Sequence, residues 1–175
     1  MKPRNLTRIV ITGFMGAGKS SVARELARLL HDSFVDLDDE VTRAEGRTPR
    51  ELIDEEGEPY FREAETRALR AALEEGTARV IALGGGAVSC AATRELLARR
   101  NCLTIWLDAP FESCWQRIAE DDARPFARDR ETARRLYEER RKFYSLADYR
   151  VEIGAGRSIE SVTSEIREVV RSRND

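Results

Sequence analysis

Apolar residues along this chain fall into two alternating patterns: short β-branched runs, and longer stretches in which every third or fourth residue is apolar. Arg8-Ile9-Val10-Ile11-Thr12 is the first short run and predicts a strand. After a glycine-rich stretch, Val22, Leu26, Leu29 and Leu30 share one face of a helix over Ser21 to Leu30, which His31-Asp32 closes. Ser33-Phe34-Val35 predicts a short strand running into Asp36-Leu37-Asp38-Asp39, and a helix from about Asp39 to Glu45 ends at Gly46. Thr48-Pro49 supplies an N-cap and a first-turn proline for a second short helix that stops at Gly57. From Glu58, an apolar stripe of Phe61, Ala64, Ala68, Leu69, Ala72 and Leu73 predicts a longer helix, with Gly76 as its C-cap.

The second half keeps the alternation. Arg79-Val80-Ile81-Ala82-Leu83 is almost continuously apolar, as expected of a strand with helices on both faces, and it runs into Gly84-Gly85-Gly86. A helix around Thr93 to Arg99 leads to a strand over Cys102 to Leu107, and Asp108-Ala109-Pro110 starts another helix ending near Glu120. Asp121 to Arg130 has no apolar period and reads as a mobile loop. A helix over Glu131 to Ser145, a strand over Tyr149 to Ile153, and a helix carrying Ile159, Val162, Ile166, Val169 and Val170 follow. The alternation predicts an α/β fold of three α/β/α layers around a five-stranded parallel sheet, with ligands at the carboxyl ends of the strands.

Composition narrows the class. A chain of 175 residues with no repeat and no low-complexity linker reads as a single domain. At that length it can bury roughly 70% of its unfolded surface without disulfide or metal staples. Its 30 basic and 32 acidic residues give a net charge of −2, which argues against a general nucleic-acid partner. Cys90, Cys102 and Cys114 have neither CxxC spacing nor a nearby histidine, and are expected to be small buried thiols in a reducing compartment. No apolar run approaches the roughly 20 residues of a membrane span, and nothing near Met1 resembles a signal peptide, so the expectation is a cytoplasmic protein; nothing reads as an exposed apolar face, so a monomer is expected.

Gly13 to Ser20 then changes the picture, because Gly13-Phe14-Met15-Gly16-Ala17-Gly18-Lys19-Ser20 fits GxxxxGK[ST] completely. Only three of the 30 basic residues are lysines, so Lys19 is not there by abundance. A strand, a glycine loop and a helix in sequence aim backbone N–H groups and a helix N-terminus at one anion, which points to a nucleotide's phosphates. Lys19 is expected at the β and γ phosphates and the Ser20 hydroxyl on Mg²⁺. Two strand-end aspartates compete for the second metal contact. Asp108, before Ala109-Pro110, reads more naturally as a helix N-cap, while Asp36 and Asp38 are placed either to cap a helix or to divide between Mg²⁺ and an acceptor hydroxyl.

Six segments in order, Gly13 to Ser20, Asp36-Leu37-Asp38, Gly57-Glu58-Pro59-Tyr60-Phe61-Arg62, Gly84-Gly85-Gly86, Arg124-Pro125, and Arg140 four residues before Tyr144, resemble the shikimate kinases. The glycine loop is shared by very many nucleotide-binding proteins, whereas GExxFR together with the triple glycine is much more specific. The resemblance runs from about residue 7 to residue 170 and implies a P-loop fold of the nucleoside-monophosphate-kinase type. It also implies an acceptor-binding segment over about 37–65, a mobile lid over about 119–131, and transfer of phosphate from ATP, with Mg²⁺, to the 3-hydroxyl of shikimate.

On this resemblance Gly13, Gly16, Ala17, Gly18, Lys19, Ser20 and Ser21 hold ATP, Arg117 packs on adenine, and Ser20 and Asp36 serve the metal. Arg62 and Arg140 hold the acceptor's carboxylate, Asp38 takes the reacting hydroxyl, and Gly84, Gly85 and Gly86 allow close approach to the ring. Lys19, Asp38 and Arg124 are the catalytic set, with Arg124 closing from the lid. Glu65, one helical turn from Arg62, either orients that guanidinium or forms a solvated surface pair. The chain departs from the family pattern at Pro125-Phe126-Ala127, at a shortened charged segment after it, and in lacking the proline of RxPxY, so that Arg141 competes with Arg140. A kinase for gluconate or a nucleoside monophosphate, and a catalytically silent nucleotide-binding module, are the competing readings.

Overall fold

The structure, a computed structural model, describes residues 7–75, 78–119, 129–154 and 156–174. Five strands, β1 (Ile9–Thr12), β2 (Phe34–Asp36), β3 (Val80–Ala82), β4 (Leu103–Asp108) and β5 (Tyr149–Glu152), form one parallel sheet in the order β2-β3-β1-β4-β5. Every residue of β1 and β3 is buried, as a strand covered on both faces requires. The register pairs Val10 with Ile81 on one side and with Thr104 on the other. Since β1 lies between β3 and β4, the chain reverses direction across the sheet at its carboxyl end, where parallel α/β sheets bind ligands.

Eight α-helices among the described residues surround the sheet: α1 (Lys19–Leu30), α2 (Leu37–Glu45), α3 (Pro49–Glu56), α4 (Glu58–Glu75), α5 (Ala91–Arg99), α6 (Phe111–Ile118), α7 (Arg130–Tyr144) and α8 (Ile159–Asn174). The α1 helix packs on α8, while α2 and α3 pack on α4, which reaches α5. On α1 the buried face is Val22, Ala23, Leu26 and Ala27, and His31 ends the helix in the left-handed conformation with its N–H on Ala27 and Arg28 carbonyls. The α3 helix opens with a reciprocal capping box: Thr48 accepts from the Glu51 N–H, and the Glu51 carboxylate accepts from the Thr48 N–H.

Three helices differ from the sequence expectation in ways that matter for the site. The α1 helix begins at Lys19 and not Ser21, so the lysine is already in its first turn. The α2 helix begins at Leu37 because Asp36 caps it, which places Asp38 on a helix and not in a loop. A 3₁₀ turn, Ala87–Ser89, follows the triple glycine, and α5 starts at Ala91; no apolar period marks so short an element. Cys102 and Cys114 are buried as expected, but Cys90, at the start of α5, is only half-buried. Gly76 and the segment 120–128, with Arg124, lie outside the described residues.

The capping box gives a clean stability test. Thr48→Ala removes the side-chain acceptor at the start of α3 and is expected to lower the unfolding free energy by about 1 kcal/mol in urea denaturation, with ATP affinity unchanged.

Candidate active site

The glycine loop leaves β1 and closes onto α1 with Gly13, Gly16 and Gly18 all at positive φ. At Gly16, where φ is +77°, a Cβ would also come within 2.7 Å of the Cys114 carbonyl, so both conformation and space demand glycine. Lys19 is buried, and its ammonium folds back over the loop to donate to the Phe14 carbonyl at 2.9 Å. Arg117 also lies on this loop, donating to the Gly16 carbonyl at 2.7 Å. Ser20 and Ser21 are exposed at the α1 N-terminus.

Asp36 does two things at once. One carboxylate oxygen accepts from the Asp38 N–H and caps α2, and the other accepts from the Ser20 hydroxyl. The capping and metal-facing readings of Asp36 are therefore compatible. A serine hydroxyl and a carboxylate oxygen brought together at the mouth of a phosphate loop are hard donors that suit Mg²⁺, a cation that takes few protein ligands and completes its shell with water and phosphate oxygens. No cluster of three or more acidic, histidine or cysteine ligands occurs among the described residues.

Across the triple glycine lies a second group of charges. Glu65 is 1% exposed, so it is no surface pair; its Oε2 accepts from Arg62 Nη1 at 2.8 Å. Its Oε1 has no hydrogen-bond partner among the described residues and lies against Gly84, as does Asp38 Oδ1. Burial pushes the Glu65 carboxyl above its ordinary range, with Arg62 opposing and Asp38 adding to the shift. Arg62 is also bound by Glu58, and the two carboxylates outweigh burial to keep its guanidinium firmly charged.

Arg140, 5% exposed, comes from α7 to the same place, and a Cβ on Gly86 would collide with Arg62 Nη2 and lie 2.9 Å from Arg140 Nη2. Burial lowers the pKa of Arg140, and the neighbouring Arg62 charge lowers it further. Two guanidinium groups sharing one partly buried corner suit a carboxylate, which both can hold by charge-assisted hydrogen bonds. Tyr144, one turn beyond Arg140, donates to the Gly85 carbonyl and locks α7 to the turn. On the opposite side of that turn, a Cβ on Gly85 would lie 3.0 Å from the Met15 N–H nitrogen of the phosphate loop.

The structure thus brings together Lys19, Ser20 and Asp36 on one side, and Asp38, Arg62, Glu65, Gly84, Gly85, Gly86 and Arg140 on the other. It separates Arg140 from its rival: Arg141 turns away and donates to Asp108 Oδ1 at 2.7 Å. Asp108 is not a helix cap, since Pro110 holds that position of α6 without a side-chain bond; Arg141 and Arg150 occupy its carboxylate instead. Sequence reasoning missed this cluster and the Tyr144 contact. The i, i+4 spacing of Tyr137, Arg141 and of Arg140, Tyr144 is the one signal for them, and among 27 arginines it is faint.

A phosphate loop at the switch point of a five-stranded parallel sheet, facing a compact guanidinium and carboxylate site across one glycine turn, defines a P-loop kinase of small molecules. Comparison with known proteins makes this specific. The shikimate kinase family profile matches residues 15–171. A shikimate kinase of Cereibacter sphaeroides is 39% identical over 170 residues, covering 95% of this chain and 84% of that protein. The structure of shikimate kinase from Acinetobacter baumannii in complex with shikimate superposes with a TM-score of 0.89 at 34% identity, covering 97% of this chain and 96% of that one. The enzyme from Aquifex aeolicus gives 0.79 at 33% identity, covering 95% and 98%. The chain belongs to the shikimate kinase family.

Gly86→Ala tests the acceptor corner. Its φ of −112° accepts alanine, so the added methyl acts through space alone, displacing Arg62 and Arg140. Calorimetry is expected to show about tenfold weaker binding of a carboxylate acceptor, in line with one lost charge-assisted hydrogen bond, and unchanged ATP affinity.

Proposed function

We propose that this chain transfers the γ-phosphoryl group of ATP to the 3-hydroxyl of shikimate, giving shikimate 3-phosphate and ADP. The observation that carries this reading is the convergence of Arg62 and Arg140 at Gly86, on the turn whose other side packs against the phosphate loop. Shikimate is a monocarboxylate with three ring hydroxyls. Its acid suits the two guanidinium groups, and its hydroxyls meet two carboxylate acceptors, Asp38 and the unpartnered Oε1 of Glu65.

Phosphoryl transfer asks for positioning and for positive charge around the transferring group. Lys19 leaves the Phe14 carbonyl for the phosphate oxygens, and the backbone N–H groups of Gly16, Ala17, Gly18, Ser20 and Ser21 cradle the phosphates beyond Gly13. Ser20 and Asp36 would hold Mg²⁺, which would neutralise charge on the phosphates. Asp38 orients the 3-hydroxyl and takes its proton as the new O–P bond forms and the bond to the bridging oxygen of ADP breaks. The triple glycine lets the acceptor ring approach the backbone. By the family resemblance Arg117 packs on adenine, and Arg124 closes from a lid over about 119–131 to stabilise the transferring group.

The same reading takes residues 1–175 as one catalytic domain acting as a monomer in the cytoplasm, with 37–65 as its acceptor segment. A net charge of −2 supports the absence of a nucleic-acid partner, and no helix among the described residues is long and apolar enough to cross a membrane.

Release of ADP that depends on shikimate, and that gluconate and nucleoside monophosphates do not elicit, is the expected result of a coupled assay across those acceptors. Turnover with either alternative but not with shikimate would overturn the assignment. Arg62→Ala is expected to raise the shikimate KM by about a hundredfold, the worth of a bidentate carboxylate contact, while the KM for ATP stays within about twofold. An equal loss for ATP would place Arg62 on the nucleotide.

A further inference from the structure

The Asp108 cluster lies outside the two half-sites but leads directly into one of them. Asp108 ends β4 with its side chain 8% exposed, and it accepts from Arg141 Nη1 at 2.7 Å, Arg141 Nη2 at 3.3 Å and Arg150 Nε at 2.8 Å. Arg141 Nη1 also donates to the Tyr137 hydroxyl at 2.9 Å, and that hydroxyl donates to the Ala109 carbonyl at 2.9 Å. The Tyr137 ring is thereby fixed edge-on against Phe14, with centroids 5.2 Å apart at 85°, and against Phe111 at 5.5 Å. Phe14 is 2% exposed, and its carbonyl is the group that receives Lys19.

We propose that Asp108, Arg141 and Tyr137 are positioning residues for the phosphate loop, fixing Phe14 and through it the loop backbone from which Lys19 reaches the phosphates. A nearly buried carboxylate with two guanidinium partners is a weak source of stability, because desolvation offsets most of the attraction. What such a fully satisfied network supplies is a single geometry. Here that geometry ends on the loop that must meet the β and γ phosphates. The same helix presents Arg140 to the acceptor, so the chain Asp108–Arg141–Tyr137 sets how α7 sits on the nucleotide half of the site. The proposal rests on Lys19 acting on ATP, as the assigned reaction requires.

The test compares wild type with Asp108→Asn, Arg141→Met, their double variant and Tyr137→Phe. The readouts are kinetics with each substrate varied in turn, calorimetric binding of a non-hydrolysable ATP analogue, and thermal unfolding. Arg141→Met and Asp108→Asn are each expected to lower kcat/KM for ATP about tenfold, leave the shikimate KM within about twofold, and combine less than additively. Tyr137→Phe keeps the ring and removes only the hydroxyl, so it folds safely; about a threefold loss confined to the ATP parameters is expected. Unchanged ATP kinetics and analogue affinity in folded Tyr137→Phe and Asp108→Asn would overturn the proposal, as would ATP and shikimate parameters falling together in step with the unfolding temperature. A wild type that binds the analogue but does not phosphorylate shikimate would refute the assigned reaction instead, and the analogue affinities of the variants would still decide the positioning role.

Discussion

The tightest constraint in this protein is the turn at Gly84 to Gly86, which is crowded from three directions. Phosphate-loop backbone approaches Gly85, the carboxylates of Asp38 and Glu65 lie against Gly84, and the guanidinium groups of Arg62 and Arg140 lie against Gly86. Tyr144 fastens the turn from a third helix. A methyl group on Gly84 or Gly86 would press on the Glu65, Asp38, Arg62 and Arg140 side chains, and one on Gly85 would sit tightly against the Met15 backbone. The turn thus lies between the phosphate loop and the charged cluster, close to both because it carries no side chains.

Around that turn the charges are arranged in opposed pairs and not as isolated groups. Glu65 is buried and would resist ionisation alone, yet Arg62 opposes that shift and is itself kept charged by Glu65 and Glu58. Arg140 sits beside Arg62, where burial first and the neighbouring Arg62 charge lower its pKa. A carboxylate placed between the two guanidinium groups would be attracted by both. The carboxylates of Asp38 and Glu65 lie against the first glycine of the turn and the two guanidinium groups against the third.

The strand and helix order was legible because it rests on periodicity: apolar runs of three to six residues and apolar stripes at three- and four-residue spacing survive in the fold with shifts of one or two residues at the ends. The nucleotide half was equally legible, since a glycine loop needs fixed residue types at fixed spacing. The acceptor half was read through its resemblance to a family, because Arg62, Glu65, Asp38 and Arg140 come from three separate helices and meet only in the folded chain. What escaped the sequence depended on side-chain direction. Asp108 looks like a helix cap until the structure shows two arginines reaching it from α7 and β5, and Arg140 and Arg141 differ only by the 100° turn between neighbours on a helix. In a chain with 27 arginines, composition could not tell these from surface charge.

Asp36 carries an implication of another kind. Its two oxygens serve two masters, one holding the first turn of α2 and the other holding Ser20 of the phosphate loop. One side chain thus ties the start of the helix that carries Asp38 to the start of the helix that carries Lys19, so a change at Asp36 would be felt on both sides of the proposed site at once.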